Sequence, residues 1–361
     1  MSTSSRPALP LPDWLRAIAA QLIIAHHLAW YGPLAVTAAV LAPELFAWLQ
    51  DSARIAVQVF LVVGGYLAAR ALAPRPYDVR GPLPQAWPGL VLKRYLRLAR
   101  PYGLALLAAL VAAALARQWG ADADTPDAPS VSVLLANVFF LQDVLGLPAL
   151  SAGFWYVAID LQLFALFAAL VAWRRVGAPS SRLNRAMRVA SLLGTGLLTV
   201  LSLFWFNLDA AQDRWAPYFF AAYGLGVLAC WIQAQPRRFA MILALEAVVV
   251  LALMVAWRDR LALAGLVAVA LAWQPGQALL LRSRLHPLMR WLAKVSYGSF
   301  LLHYPVLLVV GTVLDRLWPG DVPVAAAGLL LTWALSLAAG AAVQVACRVS
   351  QIVVVLWTLV C

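Results

Sequence analysis

Apolar runs about as long as a bilayer is thick recur along this chain, and they leave it few ways to fold. In hydrocarbon every backbone N–H and C=O must find a partner within the protein, so such runs become helices or close into a barrel. A run of about 20 residues suits the helix, which rises ~1.5 Å per residue through a core ~30 Å thick. Ten such runs are read at 14–31, 53–73, 98–117, 153–173, 189–206, 215–233, 239–257, 261–281, 296–314 and 323–346. Residues 33–49 are apolar too, but Pro33, Pro43, Glu44 and Asp51 interrupt or bound them, which suits a re-entrant or surface segment. Composition agrees: 64% of residues are hydrophobic and 12% charged, against roughly half and a quarter in a soluble domain. The expected fold is all-α, a polytopic membrane bundle of about ten transmembrane helices. It forms a single domain over residues 1–361, with no soluble domain beside it.

Charge orients the bundle. With the amino terminus in the cytoplasm and the chain alternating, inner segments hold 21 of the 27 Lys and Arg. Glu44, Asp51, Asp122, Asp124, Asp127, Asp143 and most other acids fall outside. Counting 33–49 as a full span would invert every later loop and erase that asymmetry, so both termini are expected in the cytoplasm. The net charge of +12 therefore marks topology, and no nucleic-acid partner is expected. Cys230, Cys347 and Cys361 are scattered without paired spacing, which gives no metal site and no disulfide framework. The first helix has no cleavage site behind it and is expected to be retained. Richness in Ala, Leu, Arg and Trp suits a GC-rich bacterium, hence a multi-pass protein of a bacterial inner membrane.

Chemistry must come from the few polar groups inside the apolar runs. The first run, Asp13 to Tyr31, has a charged foot (Asp13, Arg16) and two adjacent histidines, His26 and His27. His27 lies eleven residues past Arg16, ~16 Å along a helix and near mid-membrane. An imidazole there is costly unless a function or a neighbouring helix uses it. His303 is a second such imidazole, ~13 Å past Lys294 by the same rise. Asp160 lies ~10 Å into its span, where a carboxylate faces the bundle interior. It serves there either in a salt bridge or helix–helix hydrogen bond, or as the group that orients or charge-stabilises a histidine base. Arg94, Arg97 and Arg100 recur at i, i+3 and i+6, along one side of a helix. They read either as positive-inside anchors or as a grip on a multiply charged nucleotide. Gly64 and Gly65 suit close helix packing, and Glu246 has no evident role. No Gly-x-Ser-x-Gly, no His-Glu-x-x-His and no Gly-rich phosphate loop occurs, so a hydrolytic triad or a metal site has little support.

Taken in order, these stretches resemble the acyltransferase-3 family of integral membrane acyltransferases, of the sugar O-acetyltransferase type. Asp13, Leu15, Arg16, Ala17, Ala19 and His27 are similar to the family's opening Asp-Gly-Leu-Arg…His, with Trp14 for Gly. Phe60 to Tyr66 resembles its Phe-Phe-x-x-Ser-Gly-Tyr stretch, with Gly64 for Ser. Either Arg94/Arg97 or Arg97/Arg100 takes the place of its arginine pair before a proline. Trp155 to Gln162 resembles Trp-Ser-x-x-x-Glu-x-Gln, with Tyr156 for Ser and Asp160 for Glu. Ser296 to Pro305 resembles Ser-Tyr-x-x-Tyr-Leu-x-His-x-Pro, and Arg348–Cys361 is unlike the usual family ending.

The resemblance implies transfer of an acyl group, commonly acetyl, from cytoplasmic acyl-CoA to a hydroxyl of a cell-surface or exported glycan, or of a lipid-linked sugar. His27 would be the catalytic base or transient acyl carrier, assisted by Asp160. Arg94, Arg97, Arg100 and Arg16 would hold acyl-CoA, while His303, Tyr66, Trp155 and Gln162 are candidates to line the substrate site. Membrane lipid is the expected surrounding partner, and no metal is expected. The different reading is a polytopic transporter whose intramembrane His and Asp relay protons; an enzyme needs acyl-CoA and leaves an ester, and a carrier needs neither.

Overall fold

Because each helix satisfies its own backbone, packing is left to the side chains, and helices account for all the regular structure among the described residues. A computed structural model describes residues 10–73, 86–120, 125–172 and 182–360. Arg75, Arg80, Asp122 and Asp124, which the sequence places in two prominent loops, lie outside these residues. So do Arg6, Arg174 and Arg175.

Helix α1 (Pro10–Trp30) leads into two short helices, α2 (Pro33–Ala38) and α3 (Pro43–Asp51), and then α4 (Val57–Leu72). Next come α5 (Trp87–Gly120), the short α6 (Val131–Val138), α7 (Phe154–Ala172) and α8 (Arg182–Phe204). The second half holds α9 (Ala216–Gln233), α10 (Arg238–Val255), α11 (Asp259–Trp273) and α12 (Gln277–Arg282). It closes with α13 (His286–Leu317) and α14 (Val322–Val360), so the chain's tail simply continues α14. Proline opens α2, α3, α9 and α13, where the missing N–H would have had no helical partner anyway.

Among the described residues, eight helices are long and apolar enough to cross a membrane. The pair Pro10–Trp30 and Pro33–Leu41, bent by 92°, brings the number to nine when taken as one broken span. The protein is thus a multi-pass membrane bundle, and the bend confirms that 33–49 does not run on as a straight span. The run 261–281, expected as one crossing, is divided. Its first part is α11, 15 residues or ~22 Å long, short of the ~30 Å hydrocarbon core. Pro275 stops it, and Gln274 and Gly276 turn the chain through the left-handed region (φ 57° and 66°) before α12. Helix α11 packs on α9, α10 and α4.

Two helices act as hubs. Helix α9 is the most enclosed of the candidate spans and touches α4, α7, α8 and α11. A Cβ on Gly65 would fall on the Tyr223 carbonyl, and one on Gly226 on the Val62 carbonyl, so glycine alone permits the α4–α9 approach. The second hub, α13, gathers α1, α5 and α14. Arg16 donates to the Ala293 carbonyl (3.1 Å) at one end of α1, and His27 meets His303 farther along, so α1 and α13 run parallel. Tyr297 Oη donates to the Leu98 carbonyl (3.3 Å) and Arg316 to the Trp119 carbonyl (2.6 Å), so α5 runs with them. Helix α14 returns antiparallel, with Gly340 against Gly298 and Gly328 against Leu314. The end of the bundle marked by Arg16, Arg97 and Lys294 is called the basic end below.

Candidate active site

The polar groups of α1, α5, α7 and α13 sort into three levels along the bundle. At the basic end, α5, α13 and α14 have 34, 32 and 39 residues, so at ~1.5 Å per residue each is longer than the ~30 Å hydrocarbon core. Between them they border an open groove of about 170 Å³ lined by Arg97, Arg100, Lys294, Tyr297, Gln344 and Cys347, among others. Arg97, Arg100 and Lys294 are exposed there, three cations with room for a polyanion. Pro101, one residue past Arg100, also lines the groove; lacking an N–H, it leaves the Arg97 carbonyl free of its helical donor.

Beside that groove is a layer built around Arg94. Its guanidinium grips both Asp160 oxygens at 2.7 and 2.8 Å, with Nε adding a contact of 3.1 Å. The Phe164 ring lies 5.2 Å from the guanidinium carbon. Arg16 is within electrostatic reach of Arg94 and Tyr156, and Tyr223 and Tyr297 within reach of the ion pair. Arg16 itself is spent on α13, at the Ala293 carbonyl and at Ser296 Oγ (3.4 Å). The foot of α1 is fastened once more by Trp14, whose indole donates to His286 Nδ1 at 3.5 Å.

Higher up, His27 Nδ1 lies 2.7 Å from His303 Nε2, the rings almost parallel (5°) with centroids 4.7 Å apart. His303 Nδ1 meets the Phe300 carbonyl of its own helix at 2.6 Å. His303 has no exposed surface, whereas His27 keeps 9%. Pro305, two residues on, interrupts the hydrogen-bond ladder of α13 here. Aromatic rings of Phe60, Tyr156 and Phe300 fill the space toward the basic end. One turn beyond the pair, toward the far end, lies a small cavity of about 10 Å³, scarcely room for one water, lined by Tyr31, Pro33, Tyr304, Leu308 and Thr312. His27 and His303 line neither of these two cavities.

The basic end thus offers an anion three exposed cations, and deeper in the bundle two imidazoles are paired behind the rings of Tyr156 and Phe300. Residues 10–341 match the model of the acyltransferase-3 family, described as an acyltransferase domain. The chain belongs to the acyltransferase-3 family. No curated protein and no solved structure matches it. Membership makes this multi-pass membrane protein an acyltransferase rather than a transporter.

Within this acyltransferase the expected site residues part company. His27 and His303 come together, and Arg97 and Arg100 share one groove. Arg94 turns away from that groove to Asp160, and Asp160 meets Arg94 and not His27. Tyr66 is fully buried on the α9 side, donating to Gln233 (2.6 Å) and accepting from Gln274 (2.9 Å). Gln162 caps the start of α9 by accepting from the Ala216 amide (3.1 Å), and Trp155 packs on Phe219 and Tyr156. His26 points elsewhere than its neighbour, its Nδ1 at 2.8 Å from the Leu49 carbonyl of α3. Sequence alone does not mark Lys294, Tyr297, Gln344 and Cys347 as a set. Their signal was an i, i+3 spacing on each of two helices whose close approach at Gly298 and Gly340 only the fold discloses.

Proposed function

We propose that this acyltransferase transfers an acetyl group from acyl-CoA, bound at the basic end on the cytoplasmic side, to a hydroxyl of a cell-surface or exported glycan or its lipid-linked precursor. It would do so in a bacterial inner membrane with both termini in the cytoplasm. The observation that carries the reading is the His27–His303 pair, held in the bundle beyond an arginine-lined groove at the basic end.

Arg97 and Arg100, joined by Lys294, bind the CoA phosphates, and their exposure leaves them free to do so. Arg94 and Asp160 brace α5 against α7 beside the donor, and Arg16 holds α1 in register with α13. His27 acts as general base: it takes the proton of the acceptor hydroxyl as that oxygen bonds to the thioester carbonyl carbon. The carbon–sulfur bond then breaks and the proton passes to sulfur, leaving a sugar ester and free CoA thiol. Neither step calls for a metal.

The test is acetyl transfer by membranes given labelled acetyl-CoA and a glycan acceptor. His27→Ala is expected to lower transfer by about 10²- to 10⁴-fold, and undiminished transfer would overturn the catalytic role. A carrier would show uptake without acyl-CoA and no new ester on surface glycans, which mass analysis of cells with and without the protein reads directly.

A further inference from the structure

Two short contacts in the core determine more than the closeness of two rings. A carbonyl oxygen carries no hydrogen, so the 2.6 Å contact between His303 Nδ1 and Phe300 requires the hydrogen on Nδ1. A neutral imidazole has one N–H, which leaves His303 Nε2 as a bare lone pair. That lone pair lies 2.7 Å from His27 Nδ1, so the hydrogen of this second contact belongs to His27. His27 Nε2 is then the nitrogen without a hydrogen. The opposite form of His27, with hydrogen on Nε2, would set two lone pairs against each other at 2.7 Å. A pair carrying a proton at rest would bear its cost at this depth in the bilayer.

We propose that His303 is a positioning residue that holds His27 in the Nδ1–H form, so that Nε2 is the atom offered to substrate. The proposal rests on the reading of His27 as the base. Burial assigns the roles within the pair: His303 has no surface left for a substrate, and His27 retains some. The relay runs one way, from the Phe300 carbonyl through His303 to His27. When Nε2 takes the hydroxyl proton, the Nδ1–H of the new imidazolium already points at a lone pair, which makes that hydrogen bond charge-assisted. His303 thus takes the place an acidic orienter holds in other acid–base sites, without adding a buried negative charge. The other groups around His27 are the rings of His26 (centroid 5.0 Å away) and Tyr31 (5.7 Å). His26 stands outside the relay because its Nδ1 is taken by the Leu49 carbonyl.

The experiment uses the full chain in nanodiscs with ¹⁵N-labelled imidazoles, the His27 signals being assigned by their loss in His27→Ala. Nitrogen shifts report which nitrogen bears hydrogen, whatever the activity. In the wild type His27 is expected in the Nδ1–H form. His303→Gln keeps an acceptor near the Nε2 position and should preserve both that form and most of kcat. His303→Leu keeps bulk but removes the acceptor. It should lose the form and lower kcat by about 100-fold or more, with the acyl-CoA KM nearly unchanged. The proposal is overturned if wild-type His27 bears its hydrogen on Nε2, if Leu leaves kcat intact, or if Gln is as damaging as Leu. Should His303→Leu fail to fold, the wild-type and Gln spectra still decide. Full activity in His27→Ala would instead remove the base assignment while leaving the measured tautomer standing, so the two failures are read separately.

Discussion

Arg94 and Asp160 meet through contacts of 2.7 to 3.1 Å with little of either side chain exposed, and removing one partner strands the other's charge in a poorly solvated layer. Asp160→Asn is expected to cost about 3 kcal/mol of stability, read as a lower thermal midpoint in detergent, while Asp160→Glu should retain most of it. A midpoint unchanged in Asp160→Asn would mean that the pair is not a brace. Asp143, outside the spans, gives the pH-dependent case. Burial pushes its carboxyl above the usual range; a hydrogen bond to its own backbone amide opposes this, nearby Asp213 adds to it and Arg214 opposes it. One of its oxygens, Oδ2, is buried without a partner. A carboxyl raised in the fold contributes stability below its unfolded pKa and loses it as pH rises through the folded value. Asp143→Asn should therefore raise the thermal midpoint at neutral pH, and the gain should shrink as pH falls into the carboxylate range. At this scale the sequence shows which groups are buried but not their partners: Asp160 reads either as a salt-bridge partner or as the orienter of a histidine, and the structure pairs it with Arg94.

The helix is the level at which spacing becomes a surface. Arginines at i, i+3 and i+6 share one side of α5, yet only Arg97 and Arg100 face α13 and α14, while Arg94 faces α7. Arg97→Ala should therefore raise the acyl-CoA KM about tenfold or more with kcat little changed, the signature of lost binding common to ground and transition states. An unchanged KM would move the donor site elsewhere. Helix lengths were legible from hydropathy, since a long apolar run has nowhere to go but through or beside lipid. The division of 261–281 was foreshadowed by Gln274-Pro275-Gly276, although apolar residues on both sides masked it.

For the molecule as a whole, the open quantity is parity. The charge asymmetry demands that α13 start on the same side as α1, and their parallel packing agrees with it. Helix α11, expected as one of the crossings between them, has only 15 residues. Single-cysteine labelling in intact cells with a membrane-impermeant reagent tests the arrangement: Asp127→Cys should react from outside and Arg284→Cys should not. Reaction at both would invert the second half of the bundle.

Hydropathy, helix length and loop charge are written along the chain itself. For that reason the all-α membrane bundle, its expected orientation and the presence of imidazoles at mid-depth were readable before any coordinates. Partners are different. Which residues meet depends on how far each helix is rotated about its axis, and lipid is as apolar as the core, so an apolar stripe does not say which face turns inward. His27 and His303 stand 276 residues apart, and Arg94 and Asp160 66 apart. Only helices approaching through glycines such as Gly65, Gly226, Gly298 and Gly340 bring the bundle close enough to settle those pairings.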